Sequence, residues 1–142
     1  MNNHVNNINE TFKTYYSDVG IFNRIVNNDV KDILLDDMKI YKGIITENYV
    51  ANQLKSNGLD LLYWKGSREA EVDFLITTSN DGIIPIEVKA NDNTQSKSLK
   101  VYDELYHPKY MIRISTKDFG YNPETKIKSV PLYATFLIKD LC

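Results

Sequence analysis

Three charged residues on two short amphipathic segments have the types and the spacing needed to bind a divalent cation and activate a water molecule. Asp73 lies in EVDFLI (71–76), and Glu87 and Lys89 lie in IIPIEVKA (83–90). Apolar and polar residues alternate in both segments, which predicts the two strands of a β-hairpin. Two carboxylates, several waters and a substrate phosphate suit Mg²⁺, and an adjacent lysine can orient the attacking water. The pattern is therefore typical of metal-assisted hydrolysis of a phosphate ester.

The register of the hairpin decides which of these side chains face one another. If both apolar faces point into one core, odd-numbered residues oppose odd-numbered residues, because a one-residue slip turns every side chain over. A five-residue loop (78–82) sets Asp73 opposite Glu87, whereas a three-residue turn (80–82) sets Asp73 opposite Lys89. Both registers put the two carboxylates on a shared face, within roughly 4.5 to 8 Å at Cβ. The alternative without chemistry is a solvated face on which Glu87 and Lys89 form a weak surface ion pair.

A fourth candidate, Glu47, lies in a predicted helix from Lys42 to Asn57, which Gly58 is expected to stop. At about 100° per residue, Glu47 lies in the middle of one apolar stripe. The stripe consists of Ile44, Val50, Ala51 and Leu54. A charge that faces the core needs a partner. We expect a metal ion, a hydrogen-bond network or Lys89 to meet Glu47, and a buried Glu47–Lys89 ion pair without chemistry is the alternative.

A helix with glutamate, a strand with aspartate and a strand with E-x-K follow in the order seen in the PD-(D/E)xK nuclease superfamily. Over residues 15–138 the chain resembles the domain-of-unknown-function family numbered 4143. The resemblance is carried by GIITENYV (43–50), YWKGS (63–67), EAEVDFLI (69–76), IPIEVKA (84–90), SKSL (96–99) and PLYA (131–134). It implies an α/β, restriction-endonuclease-like core with a mixed central sheet flanked by helices and a helical N-terminal segment. That family usually forms the C-terminal part of proteins whose N-terminal part is an AAA-type ATPase.

Carried over residue by residue, the resemblance implies that Asp73 and Glu87 bind Mg²⁺ or Mn²⁺, that Lys89 orients the water, and that Glu47 binds the metal or holds Lys89. Val72 stands where the motif's name has proline, as in many members of the superfamily. DNA is the expected substrate, and a homodimer is compatible with the resemblance. The alternative function is a nuclease-like module that no longer cuts and serves as an assembly or nucleic-acid-binding domain of an AAA-type ATPase. The chain itself has no G-x-x-x-x-G-K-[ST] motif, so we expect any ATPase domain to be a partner.

Basic residues are concentrated in the second half of the chain. Residues 1–87 carry 8 Lys or Arg against 13 Asp or Glu, and residues 88–128 carry 8 against 5. The candidates for phosphate contacts are Lys97, Lys100, Lys109, Arg113, Lys117, Lys126 and Lys128. A predicted helix (96–106), capped by Ser96, adds N–H groups that can hold a phosphate. The alternative is a solvated mixed surface, since the isoelectric point is near 5.7.

The other segments predict one domain (15–142) after a flexible start (1–14). Residues 15–42 are expected to be mostly helical, 110–115 to be a strand, and 128–138 to be a helix or an edge strand. Core candidates in these segments and in the predicted 96–106 helix are Ile25, Val26, Ile33, Leu34, Met38, Leu99, Tyr102, Leu105, Tyr106, Ile112 and Ile114.

Composition places the chain among ordinary globular proteins. It has 142 residues, of which 42% are apolar and 25% charged. No 18-residue apolar run and no signal-like start occurs, so we expect a cytoplasmic protein without a membrane span. The lone Cys142 has no partner for an internal disulfide, and the two histidines lie near no Cys or Ser motif. The sequence therefore predicts neither a zinc site nor a Ser-His-Asp triad.

Overall fold

The computed structural model describes residues 12–26, 31, 41–66, 70–91 and 95–141. The helices in these residues are α1 (Val19–Ile25), α2 (Lys42–Ser56) and α3 (Lys97–Tyr106), and a 3₁₀ helix spans Leu132–Leu137. The strands are β1 (Leu62–Lys65), β2 (Glu71–Thr78), β3 (Gly82–Lys89), β4 (Met111–Ser115), β5 (Gly120–Asn122) and β6 (Ile127–Pro131).

The six strands form one mixed sheet in the order β1-β2-β3-β4-β6-β5. The first three strands pair antiparallel, β3, β4 and β6 pair parallel, and β5 pairs antiparallel with β6. Parallel neighbours require a crossover connection, and α3 lies in the crossover between β3 and β4. A mixed sheet flanked by helices confirms the predicted α/β class.

The β2–β3 hairpin has the register expected from the loop at 78–82. Phe74 pairs with Ile86, and the later residues of the two strands follow in step. The ladder of pairs ends here, one residue before Asp73 and Glu87. The first of the two predicted registers is therefore confirmed.

Apolar side chains are buried on both faces of the sheet. The face toward α2 buries Val50, Ala51, Leu54, Phe74, Ile76, Ile84, Ile86, Tyr110, Ile112, Ile114, Val130, Ala134 and Ile138. The face toward α3 buries Val72, Leu99, Tyr102, Met111 and Ile127. Two covered faces are typical of sheets with parallel strands. The prediction that one apolar face serves the whole of β2 is wrong at Val72.

A β-bulge in β2 explains the position of Val72. On the β1 side, Asp73 and Phe74 together stand opposite the single residue Tyr63. The extra residue reverses the alternation, so Val72 packs on the α3 face whereas Phe74 and Ile76 pack on the α2 face. Bulges commonly re-aim a side chain, and this one places Asp73 on the α2 face beside Phe74.

Two predicted packing faces are partly wrong. Ile44 is 54% exposed, because it lines an open cavity between α2 and the segment before α1, and Ile45 is buried instead. In α3 the first two predicted packing residues are buried, but Leu105 and Tyr106 are exposed. Tyr106 meets Trp64 of β1 edge-on. Because β1 is the edge of the sheet, no further strand of the described residues covers the last turn of α3.

The ends of the chain differ from their predictions in two respects. In the predicted helical segment, residues 19–25 are helical but Ile25 is exposed, and Ile33, Leu34 and Met38 lie outside the described residues. Residues 128–138 are neither one helix nor an edge strand, since β6 lies between β4 and β5 and is followed by the 3₁₀ helix.

Of the helices in the described ranges, none has the length and apolar character needed to cross a membrane.

Candidate functional site

Four charged side chains meet on the α2 face of the sheet, at the start of β2. Lys13 Nζ lies 3.0 Å from Glu47 Oε1 and 3.9 Å from Asp73 Oδ1, and it also forms an ion pair with Glu71 Oε1. We call Lys13, Glu47, Glu71 and Asp73 the lysine-centred cluster. Its side chains are partly buried, so one ammonium is shared among three carboxylates in a region of reduced solvent access.

The segment before α1 is tied to α2 at two points and thereby positions Lys13. The Tyr15 hydroxyl donates a hydrogen bond to Glu47 Oε1 at 2.8 Å, and its ring packs against Phe74 with centroids 5.7 Å apart. The side chain of Asn48 accepts from the Tyr16 N–H at 2.7 Å and donates to the Tyr16 carbonyl at 2.9 Å. Since Asn48 is buried, these paired bonds fix the backbone three residues from Lys13.

Asp73 is held at the edge of the hairpin by a backbone donor. Its Oδ2 accepts a hydrogen bond from the Val88 N–H at 2.7 Å. Burial, helped by the negative charges of Glu47 and Glu87, raises the pKa of Asp73 to about 6 against the opposing effects of the Val88 N–H and Lys13. Strong perturbation of a carboxyl by burial and nearby charges is a feature of functional sites.

Hydrogen bonds to carboxylates favour the protonated forms of Lys13 and Tyr15. Burial alone would lower the pKa of Lys13, but its bonds to Glu71 and Glu47 outweigh that effect and raise it. Burial, followed by the bond to Glu47, raises the pKa of the Tyr15 phenol. At neutral pH the Lys13 ammonium and the Tyr15 phenol therefore both donate hydrogen bonds to Glu47.

Glu87 and Lys89 form a second charged group. Lys89 Nζ lies 2.9 Å from Glu87 Oε1, and Glu87 is only 3% exposed. Side chains alternate along a strand, so these two residues lie on the α3 face, opposite Ile86 and Val88. The predicted ion pair is present, but its glutamate is buried and so is not on a solvated surface. Glu87 Oε2 is buried and has no hydrogen-bond partner among the described residues.

Val88 connects the two charged groups. Its N–H binds Asp73, and its neighbours in the chain are Glu87 and Lys89. The predicted shared face of Asp73 and Glu87 is wrong, because the bulge turns Asp73 to the α2 face. The alternative Glu47–Lys89 ion pair is also not formed, since the sheet separates these residues and Glu47 pairs with Lys13 instead.

Ser96 and two of the basic residues predicted to contact phosphate come together on the α3 face. Ser96, Lys100 and Arg113 line a cavity of about 400 Å³, whereas Lys97 is exposed and lies outside its lining. Asp103 and Glu124 line the same cavity and offset its positive charge. Ser96 is the N-cap residue of α3, as predicted, but its side chain makes no capping hydrogen bond.

Arg113 links this cavity to the charged group on β3. It pairs in register with Glu87 on β3 and with Ser129 on β6, and its Nη2 donates to Ser129 Oγ at 2.8 Å. Other predicted phosphate contacts are engaged within the chain. Lys109 pairs with Asp81, Lys126 pairs with Asp103, and Lys128 lies over the Tyr110 ring and donates to the Leu141 carbonyl.

The family model of a domain of unknown function, DUF4143, matches residues 42–134. This chain belongs to the DUF4143 family. The matched part contains Glu47, Asp73, Glu87 and Lys89, whereas Lys13 precedes it. No curated protein and no solved structure matches the chain.

Sequence reasoning missed Lys13, Tyr15 and Glu71 in this DUF4143 chain. Lys13 falls in the segment predicted to be flexible, and Glu71 lies two residues before Asp73 on the same strand. The alternation of β2 places Glu71 on a polar face, but no local pattern links residues 13 and 47.

Across the described ranges, no group of three or more His, Cys, Asp or Glu side chains is arranged to hold a metal ion.

Proposed function

We propose that this DUF4143 chain is a metal-dependent nuclease of restriction-endonuclease-like type, which hydrolyses phosphodiester bonds, with DNA as the expected substrate. The observation that carries the proposal is the Glu87 carboxylate. It is 3% exposed, one of its oxygens pairs with Lys89, and the other has no hydrogen-bond partner among the described residues. A buried charged oxygen is costly unless a ligand or a donor meets it. A divalent cation would satisfy it.

The oxygen donors fit a hard cation. Mg²⁺ is commonly held by one or two carboxylates together with waters and substrate phosphate, so the pair Asp73 and Glu87 is sufficient without a third acid. Asp73 and Glu87 leave the sheet on opposite faces, but the register and the Val88 hydrogen bond keep both carboxyl groups at the same end of the hairpin, and the Glu87 charge is near enough to raise the pKa of Asp73. The raised pKa of Asp73, near 6, also fits a carboxyl group whose negative charge is not fully balanced by the protein.

Each residue of the site has a definite part in the proposed reaction. Asp73 and Glu87 would hold Mg²⁺ or Mn²⁺, which when bound supplies Lewis acidity and an activated water. The Lys89 ammonium, positioned by Glu87 Oε1, donates to the attacking water or to a phosphate oxygen and offsets negative charge. Val88 fixes Asp73, and Glu47 serves either as a further ligand or as the anchor of Lys13.

One observation favours a second function. The Lys13 ammonium already neutralises part of the charge of Glu47 and Asp73. If that arrangement is permanent, the domain binds no metal at Asp73 and does not cut. It would then act as an assembly or nucleic-acid-binding module of an AAA-type ATPase.

A calorimetric Mn²⁺ titration separates the two functions. We expect saturable binding by the wild-type chain, loss of binding in Asp73→Asn and Glu87→Gln, and unchanged binding in the control Asp60→Asn, whose side chain is 91% exposed. Circular dichroism establishes that all four proteins are folded. Cleavage of DNA in Mn²⁺, lost in the same two variants, completes the test. No binding by the folded wild type contradicts the nuclease and supports the module.

A further inference from the structure

Lys13 lies where a cation would otherwise balance the carboxylates of the α2 face. We propose that Lys13 is a tethered counter-ion that competes with the divalent cation for Asp73 and Glu47, so that the segment before α1 sets the metal affinity of the site. This inference rests on the proposed function and adds its regulation. It assigns a role to a residue that precedes the part of the chain matched by the family model.

The competition follows from the distances around the lysine. Nζ is 3.9 Å from Asp73 Oδ1 and 3.0 Å from Glu47 Oε1. A divalent ion that took Asp73 Oδ1 as a ligand would have the ammonium as a close charge of the same sign. Like charges at such a separation repel strongly where solvent access is reduced. Metal binding and the present position of Lys13 therefore oppose one another.

The segment can leave the site without opening the sheet. Residues 12–16 are neither helix nor strand, and Phe12 at their start is 82% exposed. Tyr15 and Lys13 both donate to Glu47 Oε1, so a cation that takes this oxygen removes two of the bonds that hold the segment. The Asn48 bonds to Tyr16 remain and act as a hinge for the residues before them.

Neutralising Lys13 at constant length is the direct test. Lys13→Gln is expected to bind Mn²⁺ about tenfold more tightly than the wild type in calorimetry, within the usual range for coupled ligands. Lys13→Arg retains the charge and should keep the wild-type affinity. Lys55→Gln, which removes a lysine of α2 whose side chain is 66% exposed, is the matched control and should change nothing.

The outcomes distinguish this inference from the proposed function. Tighter binding by Lys13→Gln supports the inference, and if the wild type itself shows no binding, this outcome supports the counter-ion role of Lys13 while contradicting a wild-type nuclease. Equal or weaker binding by Lys13→Gln beside a binding wild type overturns the inference and leaves the nuclease proposal standing. No binding by either protein overturns both.

A second measurement on the wild-type chain does not depend on how the variants fold. The rate at which an amine-reactive ester acetylates Lys13, followed by mass spectrometry with Lys97 as internal reference, should rise several-fold when Mn²⁺ is added. A Lys13 rate that does not respond to Mn²⁺ shows that the ammonium is not displaced, and it overturns the inference.

Discussion

The lysine-centred cluster on the α2 face and the Glu87–Lys89 pair on the α3 face balance their charges in opposite ways. The cluster joins residues from three parts of the chain, and its ammonium serves three partly exposed carboxylates. The pair joins two neighbours on one strand, and its carboxylate is almost completely buried. Water can replace a lost partner in the first group but not in the second. The two groups should therefore respond very differently to loss of their lysines.

Removal of Lys89 should have the largest effect on stability. Lys89→Met leaves the Glu87 charge buried without its 2.9 Å partner, and breaking such a pair costs about 3 kcal/mol of the free energy of unfolding. Urea denaturation at pH 7 measures this loss. Because Lys13 pairs with carboxylates that are 19–37% exposed, Lys13→Met should cost only about 1 kcal/mol.

The two methionine variants control for side-chain size, since both replace a lysine with a methionine. The double variant Lys89→Met/Glu87→Gln should recover most of the loss, because no buried charge remains. Equal losses in the two single variants would mean that Glu87 is reached by water and that the contrast between the two faces is wrong.

The next predicted effect is a gain in stability, from the substitution Asp73→Asn, and it depends on pH. The pKa of Asp73 is raised from 3.8 to about 6 by burial, so between these values the folded chain keeps a proton that the unfolded chain has lost. The free energy of unfolding therefore falls as pH rises through this window, by up to about 3 kcal/mol if Asp73 acted alone. In Asp73→Asn this contribution is absent.

Asp73→Asn should thus match the wild type in stability near pH 4 and exceed it by about 1–2 kcal/mol above pH 6 in metal-free buffer, since it removes an imperfectly balanced charge and keeps an acceptor for the Val88 N–H. Urea unfolding of both proteins from pH 4 to 8 with chelator measures the difference, in which contributions from other carboxyl groups cancel. A difference that does not grow between pH 4 and 6 would show that Asp73 titrates as an ordinary exposed carboxyl.

Sequence periodicity predicted the parts of this fold that depend on neighbouring residues. The alternation around Asp73 and Glu87 predicted both strands of the hairpin and one of its two offered registers, and the apolar repeat around Glu47 predicted α2. The pairing of Glu87 with Lys89 was also accessible, because residues i and i+2 share a face of a strand.

The face of the sheet on which each site residue lies could not be predicted in the same way. The bulge at Asp73 depends on how β1 pairs with β2 and has no signal within β2 itself. The partner of Glu47 is 34 residues away, in a segment without regular secondary structure. Nothing in the spacing of the chain distinguishes Lys13 from Lys89 as that partner, since the choice depends on which side of the sheet each lysine reaches.

The smallest predicted effect concerns the segment that carries Lys13. Tyr15→Phe keeps the ring against Phe74 but removes the hydroxyl that donates to Glu47 Oε1 at 2.8 Å. One hydrogen bond to a partly exposed carboxylate contributes about 1 kcal/mol, so the free energy of unfolding at pH 7 should fall by that amount. Tyr133→Phe, in which the replaced ring is 70% exposed, is the matched control and should be neutral. The same loss in both variants would place the Tyr15 hydroxyl in water rather than on Glu47. A selective loss would show that Glu47 anchors the segment before α1 by two donors, which is the condition for Lys13 to act as a counter-ion held in place and not as a freely moving surface charge.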